Sequence, residues 1–222
     1  MNIKRINFPD NQYNKESSVK KQIVLHHTVS GPGVDGDINW WKTTPARIAT
    51  HYIIDRNGVI YQLFDDPYWG YHLGLKQSHF QKAGISYRNL DMQSIGIELD
   101  SWGPLKKAPD GKFYPVKWEN GKYAADTKKA AVIYPYEYCS GSSYKGHQYY
   151  ERYTDKQIYS LKELLRYLCA KHTIPPNYTN DIWSVYPKAL KGEPGIFSHT
   201  SYRADKSDAH PQVELVNMLK SL

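Results

Sequence analysis

The stretch IVLHHTVS, residues 23–30, indicates a strand that ends in two histidines. Residues 23–25 are a short apolar run, and the VSGPG segment that follows is turn-like, a pattern that favours a buried strand over a helix. The strand runs directly into His26 and His27. Either these imidazoles are hydrogen-bonded residues of the core, or the strand end delivers a ligand to a site.

Outward from this strand, the sequence predicts further strands and helices. In chain order these are a short helix over 36–44, a hairpin over 51–64, a buried strand over 94–103, a long helix over 154–172 and a closing helix over 210–222. Asn57-Gly58 is the pair typical of a two-residue hairpin turn, and Thr154 with Gln157 forms a capping box for the long helix. Strands separated by helices predict an α/β or α+β fold, with a central mixed β-sheet flanked by helices on its faces.

Residues 104–153 show no clear periodic pattern. They are rich in Gly, Lys and Tyr, with seven tyrosines between Tyr134 and Tyr153. We expect one domain over 1–222, in which 104–153 is an insertion with its own hairpins. Two roles stay open for this segment: a groove wall for glycan or peptide, or a scaffold or oligomer contact.

Composition excludes several classes of protein. At 40% hydrophobic residues the chain has enough apolar material for a full core. Two cysteines without a CxxC motif exclude a disulfide scaffold and a Cys-rich zinc site. No apolar run approaches the length of a membrane span, so no membrane insertion is expected. The first 20 residues lack the apolar region of a signal peptide.

The chain is basic, with a net charge of +7 and a pI of about 9.1. This balance suits an acidic polymer such as nucleic acid, an anionic membrane or an anionic bacterial wall. The 20 tyrosines and 6 tryptophans do not choose between them, because these rings stack on sugars as well as on bases. The basic residues are scattered rather than clustered on one stripe, and no recognition motif is present, so no nucleic-acid partner is expected.

A second polar segment offers metal ligands. In FSHTSYRADKSDAHP, residues 197–211, His199 follows an apolar pair, and two aspartates and another histidine lie within the next eleven residues. Neutral imidazole and carboxylate are both good zinc ligands, and a catalytic zinc needs three protein ligands. His26, His199 and one aspartate would supply that set, although dense polar loops also contain such residues by chance.

Glu98 lies within the apolar strand sequence SIGIEL. A carboxylate in such a strand is costly unless it is paired or functional, and burial would raise its pKa toward the range that suits a general base. The alternative is a glutamate at the solvent end of the strand that forms a surface ion pair.

Five motifs occur together in the order and approximate spacing of a known family: IVLHHTVS, ATHYIIDRNGVIYQLF, WGYHLG, SIGIEL and SHTSYRADKSD. With these motifs the chain resembles the zinc-dependent N-acetylmuramoyl-L-alanine amidases of the type-2 amidase and peptidoglycan-recognition-protein superfamily. The resemblance covers about residues 20–100 and 154–210. It implies hydrolysis of the amide between N-acetylmuramic acid and L-alanine in peptidoglycan or muropeptides, with one Zn²⁺ ion that activates water.

The resemblance also implies the ligands of that ion, which are His26, His199 and Asp208. The family's aspartate is usually followed directly by proline, whereas two residues separate Asp208 from Pro211 here. Asp205 therefore stays open as an alternative third ligand, and His210 as a lesser one. His27 is expected to be a packing residue or a partner of a ligand.

The remaining roles carry over in the same way. One branch of the family uses a tyrosine before the histidine of the hairpin strand, where this chain has Thr50, and another branch uses the glutamate of SIGIEL. The resemblance thus implies Glu98 as the general base and Lys206 as a group that stabilises the oxyanion. His72, in the His-x-Gly loop, is implied as a substrate contact.

A non-catalytic peptidoglycan-binding module of the same fold is the main rival interpretation, although the presence of all the implied ligands and the base argues against it. The biological role is left open between a phage endolysin, a secreted effector and a recycling enzyme. In each case the protein is expected in the cytoplasm until it is released or delivered to the wall. Stem-peptide preference and oligomeric state are left open as well.

Overall fold

The computed structural model describes residues 1–139 and 141–222. Within them the chain forms eleven strands: β1 (Ile3–Arg5), β2 (Gln22–His27), β3 (Tyr52–Ile54), β4 (Ile60–Gln62), β5 (Ser94–Leu99), β6 (Pro104–Lys107), β7 (Phe113–Glu119), β8 (Lys122–Ala125), β9 (Pro135–Glu137), β10 (Tyr149–Glu151) and β11 (Gly195–Ser198). Six of them form the central sheet, in the order β1-β4-β3-β5-β2-β11. This sheet is mixed, because β3 and β4 pair antiparallel while the other neighbours are parallel.

Helices cover both faces of the central sheet, as the sequence predicts. They are α1 (Asp35–Thr43), α2 (Gln77–Lys82), α3 (Asp155–His172), α4 (Pro187–Leu190) and α5 (Val213–Lys220). Leu161 of α3 and Leu215 of α5 are fully buried in the larger apolar cluster. Ile38 and Trp41 of α1 lie in a second, smaller cluster. The predicted cap of α3 is confirmed, because the Thr154 side chain accepts a hydrogen bond from the Gln157 backbone N–H.

The parallel strands at the centre bring polar residues to one edge. β2 pairs with β5 on one side and with β11 on the other, and His26 lies directly opposite Glu98 in this register. β11 ends immediately before His199. Because parallel strands present their carboxyl ends at the same edge, the side chains that follow them converge there, which is where α/β folds place their ligands.

The predicted hairpin forms, but the prediction of a two-residue turn is wrong. Ile54 lies opposite Ile60 across the antiparallel pair, so five residues, 55–59, connect the strands. The Asp55 carboxylate closes this loop by accepting hydrogen bonds from the backbone N–H groups of Asn57 and Val59. Asn57-Gly58 still lie in a tight turn, because the Gly58 N–H donates to the Asp55 carbonyl at 2.9 Å and the Asp55 N–H donates to the Val59 carbonyl at 3.0 Å. Gly58 has a positive φ of 81°, which is typical of a hairpin loop of three residues rather than two.

A second sheet arises from the segment that shows no periodic pattern. Its order is β8-β7-β6-β10-β9, and every pairing in it is antiparallel. Tyr150 of β10 is fully buried against the main body, whereas Trp118 on β7 is 65% exposed. Each strand of this sheet includes half-buried or exposed residues, which explains the weak pattern in the sequence.

Candidate metal and catalytic site

The side chains of His26, His199 and Asp208 meet at the edge where β2 and β11 end. The Nδ1 atoms of the two histidines are 3.0 Å apart, and Oδ2 of Asp208 is 3.0 Å from the first and 2.8 Å from the second. All three residues are buried. The cluster thus presents two imidazole nitrogens and one carboxylate oxygen to a common point.

The protein orients the His199 ring through its other nitrogen. Nε2 of His199 is 3.0 Å from the backbone carbonyl oxygen of Leu73. A carbonyl oxygen only accepts, so Nε2 carries the proton, and in the neutral ring Nδ1 then holds a lone pair. That lone pair is directed into the cluster.

A longer hydrogen-bonded chain orients His26. The Ser94 hydroxyl donates to the Leu90 carbonyl at 2.9 Å, so Ser94 can only accept from His72 Nε2, which is 2.9 Å away. His72 Nδ1 is then the acceptor for His26 Nε2–H at 3.0 Å. Burial lowers the pKa of His26 to about 4 and that of His72 well below its usual value, which keeps both rings neutral. His26 therefore also directs an Nδ1 lone pair into the cluster.

This donor set fits a divalent metal ion such as zinc. Two nitrogen lone pairs and a carboxylate oxygen within 3.0 Å of one another repel unless a cation or a proton lies between them. Zinc bonds of about 2.0–2.2 Å in a tetrahedron hold their donors roughly 3.3 Å apart, a few tenths of an ångström more than the spacing here. Two imidazoles and one carboxylate are also a ligand set that catalytic zinc sites use.

Glu98 lies opposite His26 on the neighbouring strand, with its side chain on the same face of the sheet. It is 9% exposed, and its Oε2 atom has no hydrogen-bond partner among the residues that the structure describes. Burial, followed by the charges of Asp208 and Asp37, raises its pKa well above the usual value, while Lys206 lowers it. The surface ion pair considered as the alternative is not formed, since Glu98 is buried.

The other candidate residues lie outside the cluster. The Asp205 side chain is 61% exposed and pairs with Arg203 at 2.7 Å. Both ring nitrogens of His210 face other groups, Nδ1 the Tyr138 hydroxyl at 3.2 Å and Nε2 a backbone carbonyl at 3.2 Å. His27 points to the opposite face of β2, where its Nδ1 is 2.9 Å from the Tyr153 hydroxyl. The structure thus brings Asp208, and neither alternative, to His26 and His199.

The structure places His72 behind His26 rather than on an open surface, with 2% of its side chain exposed. Sequence reasoning did not identify Ser94 or the carbonyls of Leu73 and Leu90 as partners of the histidines. Ser94 is the first residue of β5, and a serine in that position gives no signal in the sequence. Only the tertiary contact between the loop of His72 and β5 shows that Ser94 orients His72.

A family model described as N-acetylmuramoyl-L-alanine amidase matches residues 16–211. A search of curated proteins by sequence found no match.

Several solved structures have a similar fold. PlyL is 12% identical, with a TM-score of 0.54 over 99% of this chain and 98% of that one. A mutant endolysin from Bacillus subtilis is 16% identical, with a TM-score of 0.53 over 100% and 97% of the two chains. The catalytic domain of XlyA is 14% identical, with a TM-score of 0.53 over 100% and 98%. At these identities the likeness shows the fold alone.

Proposed function

The chain belongs to the N-acetylmuramoyl-L-alanine amidase family, and we propose that it hydrolyses the amide bond between N-acetylmuramic acid and L-alanine in peptidoglycan, with one zinc ion as cofactor. The family and the fold support peptidoglycan amidase activity. The observation that carries the finer proposal is the convergence of His26, His199 and Asp208, with Glu98 on the adjacent strand.

In this proposal His26 and His199 would hold the ion through Nδ1, and Asp208 would hold it through Oδ2. Zinc held by this donor set would supply a Lewis acid for the scissile carbonyl and would lower the pKa of a bound water to about 7. The Leu73 carbonyl and the His72 ring keep the two histidines in the tautomer that ligation needs.

Glu98 is the proposed general base. Its carboxylate accepts a proton from the attacking water and then returns it to the nitrogen of the leaving L-alanine, because an amide nitrogen leaves poorly unless it is protonated. The raised pKa of Glu98 suits both steps near neutral pH. Lys206 lies close enough to act on Glu98 and His26 by its charge, and we propose that its ammonium stabilises the developing oxyanion.

For His72 the geometry favours an orienting role over the substrate contact that the resemblance implies. We expect His72→Leu to lower zinc affinity about 10–100-fold, the usual cost of losing a partner of a metal ligand, because His26 Nε2–H then loses its acceptor. Competition with a zinc-binding dye measures this directly. His79→Leu, on helix α2, is the matched control, because His79 is half-buried and is not one of the donors of the cluster. Unchanged affinity in His72→Leu would leave the substrate contact as the better proposal.

We also propose that residues 1–222 form one catalytic domain, in which 104–153 is an insertion. We call residues 199–210, which include His199 and Asp208, the metal-site segment. Contacts between the insertion and the metal-site segment support this proposal. The Tyr144 hydroxyl is 3.0 Å from Oγ1 of Thr200, the neighbour of His199, and the Tyr138 hydroxyl reaches His210.

The proposed partner is the bacterial wall polymer or its soluble fragments, reached by release or delivery of the protein as an endolysin, an effector or a recycling enzyme. Among the helices that the structure describes, none is both long enough and apolar enough to cross a bilayer.

The proposed function is tested by digesting purified peptidoglycan with and without a strong zinc chelator. We expect new L-alanine amino termini that vanish with chelator and return when zinc is added, because the three buried donors are the metal site. If folded, zinc-loaded protein released no such termini from sacculi or from soluble muropeptides, a binding module of the same fold would replace the amidase proposal.

A further inference from the structure

An exposed aromatic pair lies at the far end of the second sheet. Trp118 on β7 lies opposite Tyr123 on β8, next to the hairpin turn at 120–121. Their rings meet edge to face at 4.8 Å and are 65% and 47% exposed as residues. The His147 ring also contacts Tyr123, with the two ring centroids 4.8 Å apart. We call these three side chains the hairpin aromatic surface.

The strand register shows which way this surface faces. Lys106 on β6 lies opposite Tyr114 on β7, and Tyr150 on β10 lies opposite Pro104 on β6. Side chains two or four residues apart on a strand share a face. Trp118 is therefore on the same face of the sheet as Lys106 and Tyr150.

This face is the one that packs against the metal-site segment. The Tyr150 ring stacks on His210 at 4.4 Å and 22°, two residues beyond Asp208. His147 lies 6.0 Å from Tyr150, between it and Tyr123. A continuous row of packed rings thus leads from His210, in the loop of Asp208, out to Trp118, so the hairpin aromatic surface lies at the exposed end of a row that begins beside the candidate site.

The charge around this surface complements an anionic polymer. Residues 104–153 carry nine basic and five acidic side chains, a net charge of +4 of the chain's +7. The Lys106 ammonium is exposed on the same face and bonds to the Tyr123 carbonyl at 2.9 Å. Peptidoglycan is anionic through the carboxylates of its stem peptides, and its sugars present apolar C–H faces that stack on Trp and Tyr rings.

We propose that the hairpin aromatic surface binds the hexosamine glycan strand of peptidoglycan, at sugars beyond the one whose amide is cut. This inference rests on the proposed function for the identity of the polymer. Trp118 and Tyr123 stack on pyranose rings, and Lys106 interacts with stem-peptide carboxylates. The surface is then expected to contribute to binding of long strands and not to hydrolysis of a single disaccharide muropeptide.

The test separates binding from hydrolysis. The full chain, kept inactive with chelator, is sedimented with sacculi stripped of teichoic acid. We expect Trp118→Ala to weaken binding about tenfold, the scale of one stacking contact, and Trp118→Phe to restore most of it. Tyr159→Ala is the matched control, since Tyr159 is 68% exposed on α3.

A second readout uses the zinc-loaded protein. Trp118→Ala should slow release of L-alanine termini from sacculi and leave the rate on a disaccharide muropeptide unchanged. Unweakened binding of Trp118→Ala to sacculi would overturn the inference. So would a wild-type dimer in size-exclusion chromatography that this variant abolishes, because the pair would then be a contact between copies. If Trp118→Ala bound sacculi more weakly but the wild-type protein showed no amidase activity, the glycan-binding inference would stand and the proposed function would be rejected.

Discussion

Replacing Glu98 with glutamine is expected to reduce kcat on muropeptides about 10²–10⁴-fold, the usual contribution of a positioned general base. The amide of glutamine fills the same volume but accepts no proton from water. Zinc content should stay the same, because Glu98 is outside the three-donor cluster. Thermal stability should stay the same or rise, since the change replaces a buried carboxylate by a neutral amide of the same shape.

The control for this variant is Glu119→Gln, at the exposed end of β7, which should retain wild-type rates. The kinetics are measured with a soluble muropeptide, so that binding to intact wall does not enter the rate. Activity of Glu98→Gln within about threefold of wild type would show that another group acts as the base. Loss of zinc from the variant would instead make Glu98 a ligand.

The parts of this fold that the sequence predicts well are those whose pattern is set locally. β2 and β5 are buried on both faces, so they are continuous apolar runs in the sequence, and the polar residues at their ends stand out. The long helix is visible from its apolar period and from the capping box at Thr154. The parallel pairing of β2 with β5 and β11 then brings His26, Glu98 and His199 to one edge, as residues of these types at strand ends suggest.

The parts that the sequence predicts poorly depend on contacts between distant segments. The orientation of His26 relies on Ser94 and His72, whose approach is a property of the tertiary structure. The second sheet has short, half-exposed strands, so its pattern is weak. Asp205 and Asp208 are three residues apart in one polar loop, and only the path of the backbone shows that Asp208 turns inward and Asp205 outward.

Of these two aspartates, Asp208 is the one whose substitution is expected to have a large effect on zinc binding. Asp208→Ala should lower zinc affinity on the order of 10²–10³-fold, because a zinc site worth about 10–16 kcal/mol over four ligands loses roughly 2.5–4 kcal/mol with one of them. Since a metal that binds only the folded state stabilises it in proportion to its affinity, zinc should raise the Tm of wild-type protein far more than that of the variant. Amidase activity should fall with the loss of metal.

Asp205→Ala is the matched control, because it removes the same carboxylate three residues earlier in the same loop. Its side chain is 61% exposed and its Oδ2 pairs with Arg203, so zinc affinity and the zinc-dependent Tm shift should remain those of wild type. An exposed pair of this kind is worth about 0–1 kcal/mol, which bounds any change in the stability of metal-free protein. The reverse pattern, with zinc lost in Asp205→Ala and kept in Asp208→Ala, would require the loop to rearrange when metal binds, so that Asp205 turns inward and Asp208 outward. Asp208 would then no longer be the third zinc ligand, and the carboxylate beside the two Nδ1 atoms would be that of Asp205.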